Sequence, residues 1–188
     1  AIWGLGPDGP DFNQNNHYVP VSIWNSKNIT CHQFSLESSY RGLELVNNFE
    51  CSIENNYISN SENNALYLLE NSNLTITENK INSFGKGIFL KNEIVPRITK
   101  NNISGGNLGI YVYNANDVLF YSNRIEDVNI GLSTYNFDNL TFYNNFFNAS
   151  SYDLDFYTTD FNLDLQGNNF YGYGLHFSYN TGESVLLT

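Results

Sequence analysis

Apolar residues recur along this chain with a period of 22 or 23 residues. One apolar position repeats seven times, and a second follows it after five residues in every repeat. The first column consists of Cys31, Ile53, Ile76, Ile98, Phe120, Phe142 and Leu165, and the second of Leu36, Ile58, Ile81, Ile103, Ile125, Phe147 and Phe170. A period this short and regular is typical of a stacked solenoid in which each repeat forms one coil.

The residues around these columns alternate as they do in β-strands. Another apolar residue lies two positions before most members of the first column, so each repeat contains an apolar-x-apolar strand. A second such strand follows a glycine in several repeats, as in Gly87-Ile-Phe-Leu90 and Gly109-Ile-Tyr-Val112. The pattern therefore predicts an all-β, single-domain parallel β-helix, or β-solenoid, of about seven coils of 22–23 residues.

An asparagine lies three residues after the first column in six of the seven repeats. Asparagine tolerates the left-handed backbone of a tight bend, and its amide can donate to one coil while it accepts from the other. We therefore expect a structural ladder inside the solenoid. The ladder consists of Asn56, Asn79, Asn101, Asn123, Asn145 and Asn168.

The segment Asn73-Leu-Thr-Ile-Thr-Glu-Asn-Lys-Ile-Asn82, followed by Gly87-Ile-Phe-Leu90, resembles a known repeat. It is similar to the right-handed parallel β-helix repeat of NosD-like proteins, pectin-degrading enzymes and many archaeal cell-surface proteins. The resemblance covers residues 21–177 and implies a right-handed coil. It leaves the chemistry open, because this repeat serves lyases, binding modules and structural surface proteins alike.

Two parts of the chain differ in pattern. Residues 1–20 contain glycines and prolines that cannot make a regular coil, so we expect an N-terminal cap segment there. Residues 21–188 are predicted to form the β-helix, ending in a C-terminal strand. No linker or charge block interrupts the repeats.

Composition indicates a protein outside the cell. The sequence of 188 residues begins with Ala and contains no Met, so we expect that a signal peptide has been removed and that the protein lies at the cell surface. A formal net charge of −11 with eight scattered basic residues argues against nucleic acid as a partner. No apolar run is long enough to predict a membrane span.

Five Asn-x-Ser/Thr sequons predict N-glycosylation. They begin at Asn28, Asn73, Asn102, Asn139 and Asn148. The two cysteines, Cys31 and Cys51, fall in adjacent coils but in columns two residues apart. That offset places their Cα atoms about 8 Å apart, beyond the ~7 Å that a disulfide tolerates, whereas a secreted chain with two cysteines favours pairing. The sequence therefore leaves two alternatives for the cysteines: a disulfide or two buried thiols.

The charged residues do not form a recognisable catalytic set. No arginine among Arg41, Arg97 and Arg124 lies beside a carboxylate cluster, and the histidines His17, His32 and His176 lie in unrelated coils or the cap. We therefore expect no catalytic residues, no enzyme activity and no cofactor. A calcium site formed by Asp153, Asp155, Asp160 and Asp164 is an alternative to a solvated acidic end.

Aromatic residues occupy outward positions of the second strand. Two columns are predicted there: Tyr67, Phe89 and Tyr111, and then Tyr113, Tyr135 and Tyr157. So much apolar surface is expected to be covered by another copy, a carbohydrate or the N-terminal segment. We favour a secreted structural protein that self-assembles into a filament, sheath or lattice through this face and the open solenoid ends. The alternatives are a carbohydrate-binding or adhesin module and, less favoured, a polysaccharide lyase or hydrolase.

Overall fold

The computed structural model describes residues 18–157 and 162–178, together with the backbone of Trp3–Gly4 and Leu186–Leu187. Its regular elements are β-strands, and none of the described segments forms a helix long and apolar enough to cross a membrane. The strands are β1 (Trp3–Gly4), β2 (Val21–Trp24), β3 (Thr30–His32), β4 (Ser35–Glu37), β5 (Arg41–Val46), β6 (Ser52–Glu54), β7 (Tyr57–Ser61), β8 (Asn64–Leu69), β9 (Thr75–Thr77), β10 (Lys80–Ser83), β11 (Lys86–Lys91), β12 (Arg97–Thr99), β13 (Asn102–Ser104), β14 (Leu108–Ala115), β15 (Val118–Tyr121), β16 (Arg124–Phe137), β17 (Asn139–Tyr143), β18 (Phe146–Tyr157), β19 (Asn162–Gln166), β20 (Asn169–Phe170), β21 (Leu175–Ser178) and β22 (Leu186–Leu187).

Each coil contributes strands to three faces, and the strands of each face pair in parallel from coil to coil. Face A consists of β2, β5, β8, β11 and β14, the second halves of β16 and β18, and β21. Face B consists of β4, β7, β10 and β13, the first halves of β16 and β18, and β20. Face C consists of β3, β6, β9, β12, β15, β17, β19 and β22. The predicted parallel β-solenoid of about seven turns is confirmed.

The long strands β16 and β18 run round the corner between faces B and A. They join these two faces into one 14-stranded sheet, whereas face C forms a separate eight-stranded sheet. The pairing register shifts on both sides of Val128, and Asp127, the residue before it, has a left-handed backbone (φ 56°). A third strand in each coil, such as β10 around Ile81, lies where the sequence pattern indicated only a single apolar step.

The pairing register reproduces the period of the sequence. Ile53 pairs with Cys31 on one side and Ile76 on the other, and both stay in the same buried column. Every member of that first column is buried, and Phe120 stacks on Phe142 with ring centroids 4.5 Å apart. Burying each large aliphatic or aromatic side chain stabilises the fold by roughly 1.5–3 kcal/mol, so the repeated column defines the core.

Both cysteines are free thiols in the interior. Because Cys31 pairs with Ile53, it lies two residues out of register with Cys51, as the sequence indicated. Burial and the nearby Cys51 raise the pKa of Cys31 to about 12. Burial also raises the pKa of Cys51. The structure therefore has two core-filling thiols in place of a disulfide.

Both ends of the chain add a short strand to the solenoid. The backbone of β1 pairs antiparallel with β2, and β22 pairs in parallel with β19 as one more rung of face C. Of the residues expected to form the cap, 1–2 and 5–17 lie outside the described residues. Because β22 is a rung of the same solenoid, the last strand is already paired on one edge within its own chain.

Candidate functional site

The predicted asparagine column lies at the corner between faces C and B. The Nδ2 group of Asn79 donates to Oδ1 of Asn101 (2.9 Å) and to the carbonyl of Ile53 (2.9 Å), and its backbone N–H donates to the same Oδ1 (3.0 Å). Asn56, Asn101, Asn123 and Asn145 make the same set of bonds, and the chain of bonds ends at Asn168. All of these amides except that of Asn168, which is partly buried, are buried, so they hold coils together and are closed to a ligand.

The reason we gave for asparagine at this corner was wrong in one respect. The left-handed residue is the one before each ladder asparagine, such as Asn55 (φ 53°), Glu78 (φ 55°) and Lys100 (φ 54°). The ladder residues themselves do not have positive φ. Asparagine is therefore needed for its amide, which both donates and accepts, and not for its backbone preference.

The outward positions of face A form a continuous strip along the solenoid axis. We define the outward strip as the rings of Tyr67, Phe89, Tyr111, Tyr113 and Tyr135, the lysines Lys86 and Lys91, and two terminal pairs, Arg41–Glu44 and Asp155–His176. The coil-by-coil register places Glu44, Tyr67, Phe89, Tyr111, Ser133, Asp155 and His176 in one column.

The rings of the outward strip stack on one another. Centroids of Tyr67 and Phe89 are 5.0 Å apart with planes within 1°, and those of Tyr113 and Tyr135 are 5.3 Å apart within 4°. The Arg41 guanidinium lies 3.8 Å from the Tyr67 centroid, from the preceding coil. Because the ring faces cover each other, the strip presents ring edges and phenolic hydroxyls to solvent. The wet apolar surface is smaller than the sequence pattern implied.

Charge is distributed unevenly along the outward strip. Lys86 and Lys91 lie near the rings of Phe89 and Tyr113, 6.0 and 5.5 Å from their centroids. Neither lysine forms an ion pair with any residue that the structure describes. The carboxylate of Glu44, in contrast, is buried and paired with Arg41. The middle of the strip therefore carries two lysines that form no ion pair among the described residues, on an otherwise acidic protein.

The far end of the strip brings together four polar side chains. Nδ1 of His176 lies 2.7 Å from Oδ1 of Asp155, which is buried, whereas the imidazole is 38% exposed. The imidazole stacks on Tyr152 with centroids 4.6 Å apart and meets the edge of Tyr157. Because a carboxylate only accepts, Nδ1 carries the proton and Nε2 is left to act on a ligand. Burial and the charge of Asp155 raise the pKa of Tyr157.

Sequence reasoning missed this cluster. We had placed His176 in a coil unrelated to the other histidines, and Asp155 in a solvated acidic end with a calcium site as the alternative. Their spacing of 21 residues is close to the repeat period and could have indicated that they lie on adjacent coils. The strand pairing places them side by side. Tyr157, predicted to continue the aromatic column, lies against Asp155.

The acidic residues of the last coils are separated by the fold. Asp153 accepts from the backbone N–H groups of Ala149 (3.0 Å) and Gly172 (2.8 Å), and Asp164 on face C accepts from the Tyr143 hydroxyl (2.7 Å). Asp160 lies outside the described residues. Within residues 18–157 and 162–178, no group of three or more His, Cys, Asp or Glu could hold a metal ion. The alternative of a calcium site is therefore not supported by the positions of Asp153, Asp155 and Asp164.

The sequons differ in accessibility. Asn28, Asn73, Asn102 and Asn148 are exposed. Asn139 is partly covered: its Nδ2 donates to Asp117 (2.6 Å), and its Oδ1 accepts from Asn162 (2.8 Å). A glycan on Asn139 would leave one N–H on Nδ2 for the bond to Asp117, but it would have to fit beside these partners.

Comparison with known proteins identifies the fold. A family model described as "Right handed beta helix region" matches residues 41–186. No curated protein matches the sequence significantly. The chain is similar to the Azotobacter vinelandii mannuronan C-5 epimerase AlgE4 A-module, at a TM-score of 0.48 and 14% identity over 89% of this chain and 58% of that one. It is also similar to DFA-IIIase from Arthrobacter chlorophenolicus A6 without its lid, at a TM-score of 0.53 and 11% identity over 91% and 56%.

These similarities correct one expectation. Our chain covers 58% and 56% of the two structures, and identities this low show the fold alone. DFA-IIIase is nevertheless named as an enzyme with this fold, which contradicts the reasoning by which we expected this chain not to be an enzyme. Our treatment of every histidine as isolated was also wrong, because the coil register pairs His176 with Asp155.

Proposed function

The chain belongs to the right-handed β-helix family, and on this premise we propose that it binds an extended acidic saccharide along the outward strip of face A. The observation that carries the proposal is the strip itself: stacked ring edges, phenolic hydroxyls and two lysines without carboxylate partners among the described residues. Such a ligand also suits the expected location at the cell surface.

The spacing and chemistry of the strip suit a chain of sugars. Successive coils lie about 4.8 Å apart, so a ligand that lies along the solenoid axis meets one new outward side chain per coil. Phenolic hydroxyls of Tyr67, Tyr111, Tyr113 and Tyr135 both donate and accept, as sugar hydroxyls do. The ring faces are occupied, so we expect edge and hydroxyl contacts in place of stacking.

The lysines favour a carboxylate on the ligand. An ammonium group binds a carboxylate through charge-assisted hydrogen bonds, and Lys86 and Lys91 are available for this. The two carboxylates in the strip, Glu44 and Asp155, are already engaged by Arg41 and His176. Acidic residues on faces B and C are screened over roughly 8 Å at physiological ionic strength. Glu70 lies beside Lys91 just after the end of β8 but forms no ion pair with it among the described residues, so both ammonium groups remain available to a ligand.

Binding is tested by calorimetric titration of the full chain with polygalacturonate and with a neutral glucan. We expect the double variant K86Q/K91Q to bind polygalacturonate at least about tenfold more weakly, since each charge-assisted contact contributes roughly 1.5–3 kcal/mol. The matched control K80Q/K100Q removes the same charge from outside face A and should bind as the parent does. Equal losses in both variants, or no binding by the parent, would overturn the proposal.

Self-assembly through the same face is the competing function. A stable interface buries about 1,200–2,000 Å², and mutual stacking of the rings reduces the apolar area that the strip can offer. Sedimentation of the parent and of Y111S/Y113S separates the two functions. If the parent forms polymers without a saccharide and this variant does not, self-assembly becomes the better-supported function of this face.

A second candidate function is acid–base catalysis on the bound saccharide at Asp155–His176. The 2.7 Å contact favours it, because Asp155 fixes the imidazole while Nε2 stays accessible. We expect H176A and D155N to lower cleavage of polygalacturonate by roughly 10²–10⁴-fold with little change in affinity. Reducing ends report hydrolysis and ultraviolet absorbance reports elimination, and H32A serves as the control.

Failure of this second test is distinguishable from failure of the first. A parent protein that binds polygalacturonate and yields neither product keeps the binding function and loses the catalytic one. Cleavage that persists in H176A would assign the activity to other residues.

A further inference from the structure

A second polar column, which the sequence analysis did not identify, lies at the corner between faces A and C. The backbone N–H of Ser26 donates to Oδ1 of Asn48 (2.8 Å), and the Asn48 amide donates to Oδ1 of Asn71 (3.0 Å). Nδ2 of Asn71 then donates to Oε1 of Glu93 (2.9 Å). These three side chains are at most 3% exposed, so the column is a buried ladder that ends in a carboxyl group.

Glu93 has one oxygen bonded and one without a partner. Its Oε1 accepts from the side chain and, at 3.3 Å, from the backbone N–H of Asn71. Its Oε2 is buried and has no hydrogen-bond partner. In the next coil the matching position holds Ala115, as shown by the bridge between Ile94 and Asn116, so no polar side chain continues the ladder.

The asparagines in the two preceding coils show which hydrogen bond Oε2 of Glu93 would have to make in the same ladder. Nδ2 of Asn48 donates to the carbonyl of Ile23, and Nδ2 of Asn71 donates to that of Leu45. The next residue in this register is Leu68. A carboxylate oxygen cannot donate to a carbonyl, whereas the hydroxyl of a carboxylic acid can.

The charges around Glu93 do not stabilise its ionised form. Glu70 lies in the coil below and accepts from Asn92 at 3.5 Å, Lys91 lies outward on the same coil, and Asp117 follows Asn116 in the coil above. No cation forms an ion pair with Glu93 among the described residues. Ionisation would leave a buried charge without a counter-charge. Burial, opposed by the Asn71 hydrogen bonds and reinforced by Glu70, raises the pKa of Glu93 to about 8.

We propose that Glu93 is a proton-dependent rung: the neutral acid completes the second ladder, and ionisation loosens the corner between β11 and β12. The device rests on the ladder alone and stands whether or not the outward strip binds a saccharide. Because Lys91 ends β11 two residues before Glu93, loosening of this corner also displaces one end of the cationic part of the strip.

The direction of the pH dependence follows from the raised pKa. A carboxyl group whose pKa is higher in the folded protein makes its full contribution to stability below its pKa in the unfolded chain, 4.5. That stability is lost as the pH rises toward and through about 8. Glu93 therefore stabilises this corner most in acid and least in alkali.

Urea unfolding of the full chain as a function of pH tests the proposal against E93Q, which supplies a donor that does not titrate. The folding constant of the parent relative to E93Q should fall by up to about tenfold per pH unit between 4.5 and about 8, and then level off. The control E62Q changes an exposed carboxyl group that does not contribute to the raised pKa of Glu93, and it should keep the parental profile. Parallel pH profiles for the parent and E93Q would overturn the proposal.

Infrared difference spectroscopy of the parent gives a second readout that does not require E93Q to fold. Ordinary carboxyl groups are ionised at about pH 7, so a carboxylic-acid C=O band at that pH reports a protonated buried carboxyl group. We expect such a band near neutral pH and its loss in alkali. Its absence at neutral pH would show that Glu93 is ionised in the folded protein, which excludes a proton-dependent rung.

Discussion

At the scale of single residues, the corner between faces C and B assigns two tasks to neighbouring positions. The residue before each ladder asparagine takes the left-handed backbone, and chemically different residues, Asn55, Glu78, Lys100 and Ser122, do so there. The asparagine after it supplies an amide that is bonded on both sides. The backbone bend therefore tolerates variation, whereas the ladder depends on the amide.

Replacement of Asn101 by Ala tests the importance of that amide. It removes bonds to Asn79, Asn123 and the carbonyl of Ile76 inside the core. We expect a loss of about 1–3 kcal/mol in the free energy of unfolding, measured by urea denaturation. The control T99S keeps the hydroxyl that donates to Thr77 and should cost under about 0.5 kcal/mol. Small and equal losses would show that the column contributes little to stability.

At the scale of the strand, close packing of successive coils on face A depends on glycine. A Cβ atom on Gly109 would lie 2.5 Å from the carbonyl oxygen of Gly131 and 2.6 Å from Cγ2 of Ile125. The backbone oxygen cannot move without disturbing the β14–β16 pairing. The glycine that precedes the second strand in the sequence pattern is thus a requirement of coil-to-coil contact.

The variant G109A is expected to destabilise the protein by about 1–3 kcal/mol, because the added methyl overpacks this corner. Urea denaturation monitored by circular dichroism measures the change. Asn107→Ala alters an exposed side chain just before the same strand and serves as the control, with an expected effect under about 0.5 kcal/mol. Unchanged stability in G109A would mean that the coils can separate at this corner without cost.

At the scale of the whole molecule, the outward strip exists because coils stack in register along the full solenoid. Its two ends lie far apart in sequence, at Arg41 and His176, yet they share one face. The lysines in its middle and the paired carboxylates at its ends give this face a charge pattern unlike the acidic average of the chain. Such a face is formed only by the assembled solenoid and not by any single repeat.

The sequence by itself determined the solenoid, its core columns and the positions of the first asparagine ladder. This was possible because spatial neighbours in a solenoid are separated by one period, so that the register can be counted along the chain. Ile53, Ile76 and Asn79 lie where that count places them. The count also placed Cys31 and Cys51 out of register with each other.

The tertiary structure alone decided the features that depend on rotamers and corners. Tyr67 and Phe89 stack, so this face presents ring edges to solvent in place of ring faces. The alternation of apolar and polar residues carries no information about such stacking. The pairing of Asp155 with His176 and the orphan oxygen of Glu93 depend on how each turn bends between strands. Turns are not constrained by the pairing that keeps the strands in register, so their lengths differ by a residue between coils. Counting by one period therefore does not align the turn residues of successive coils.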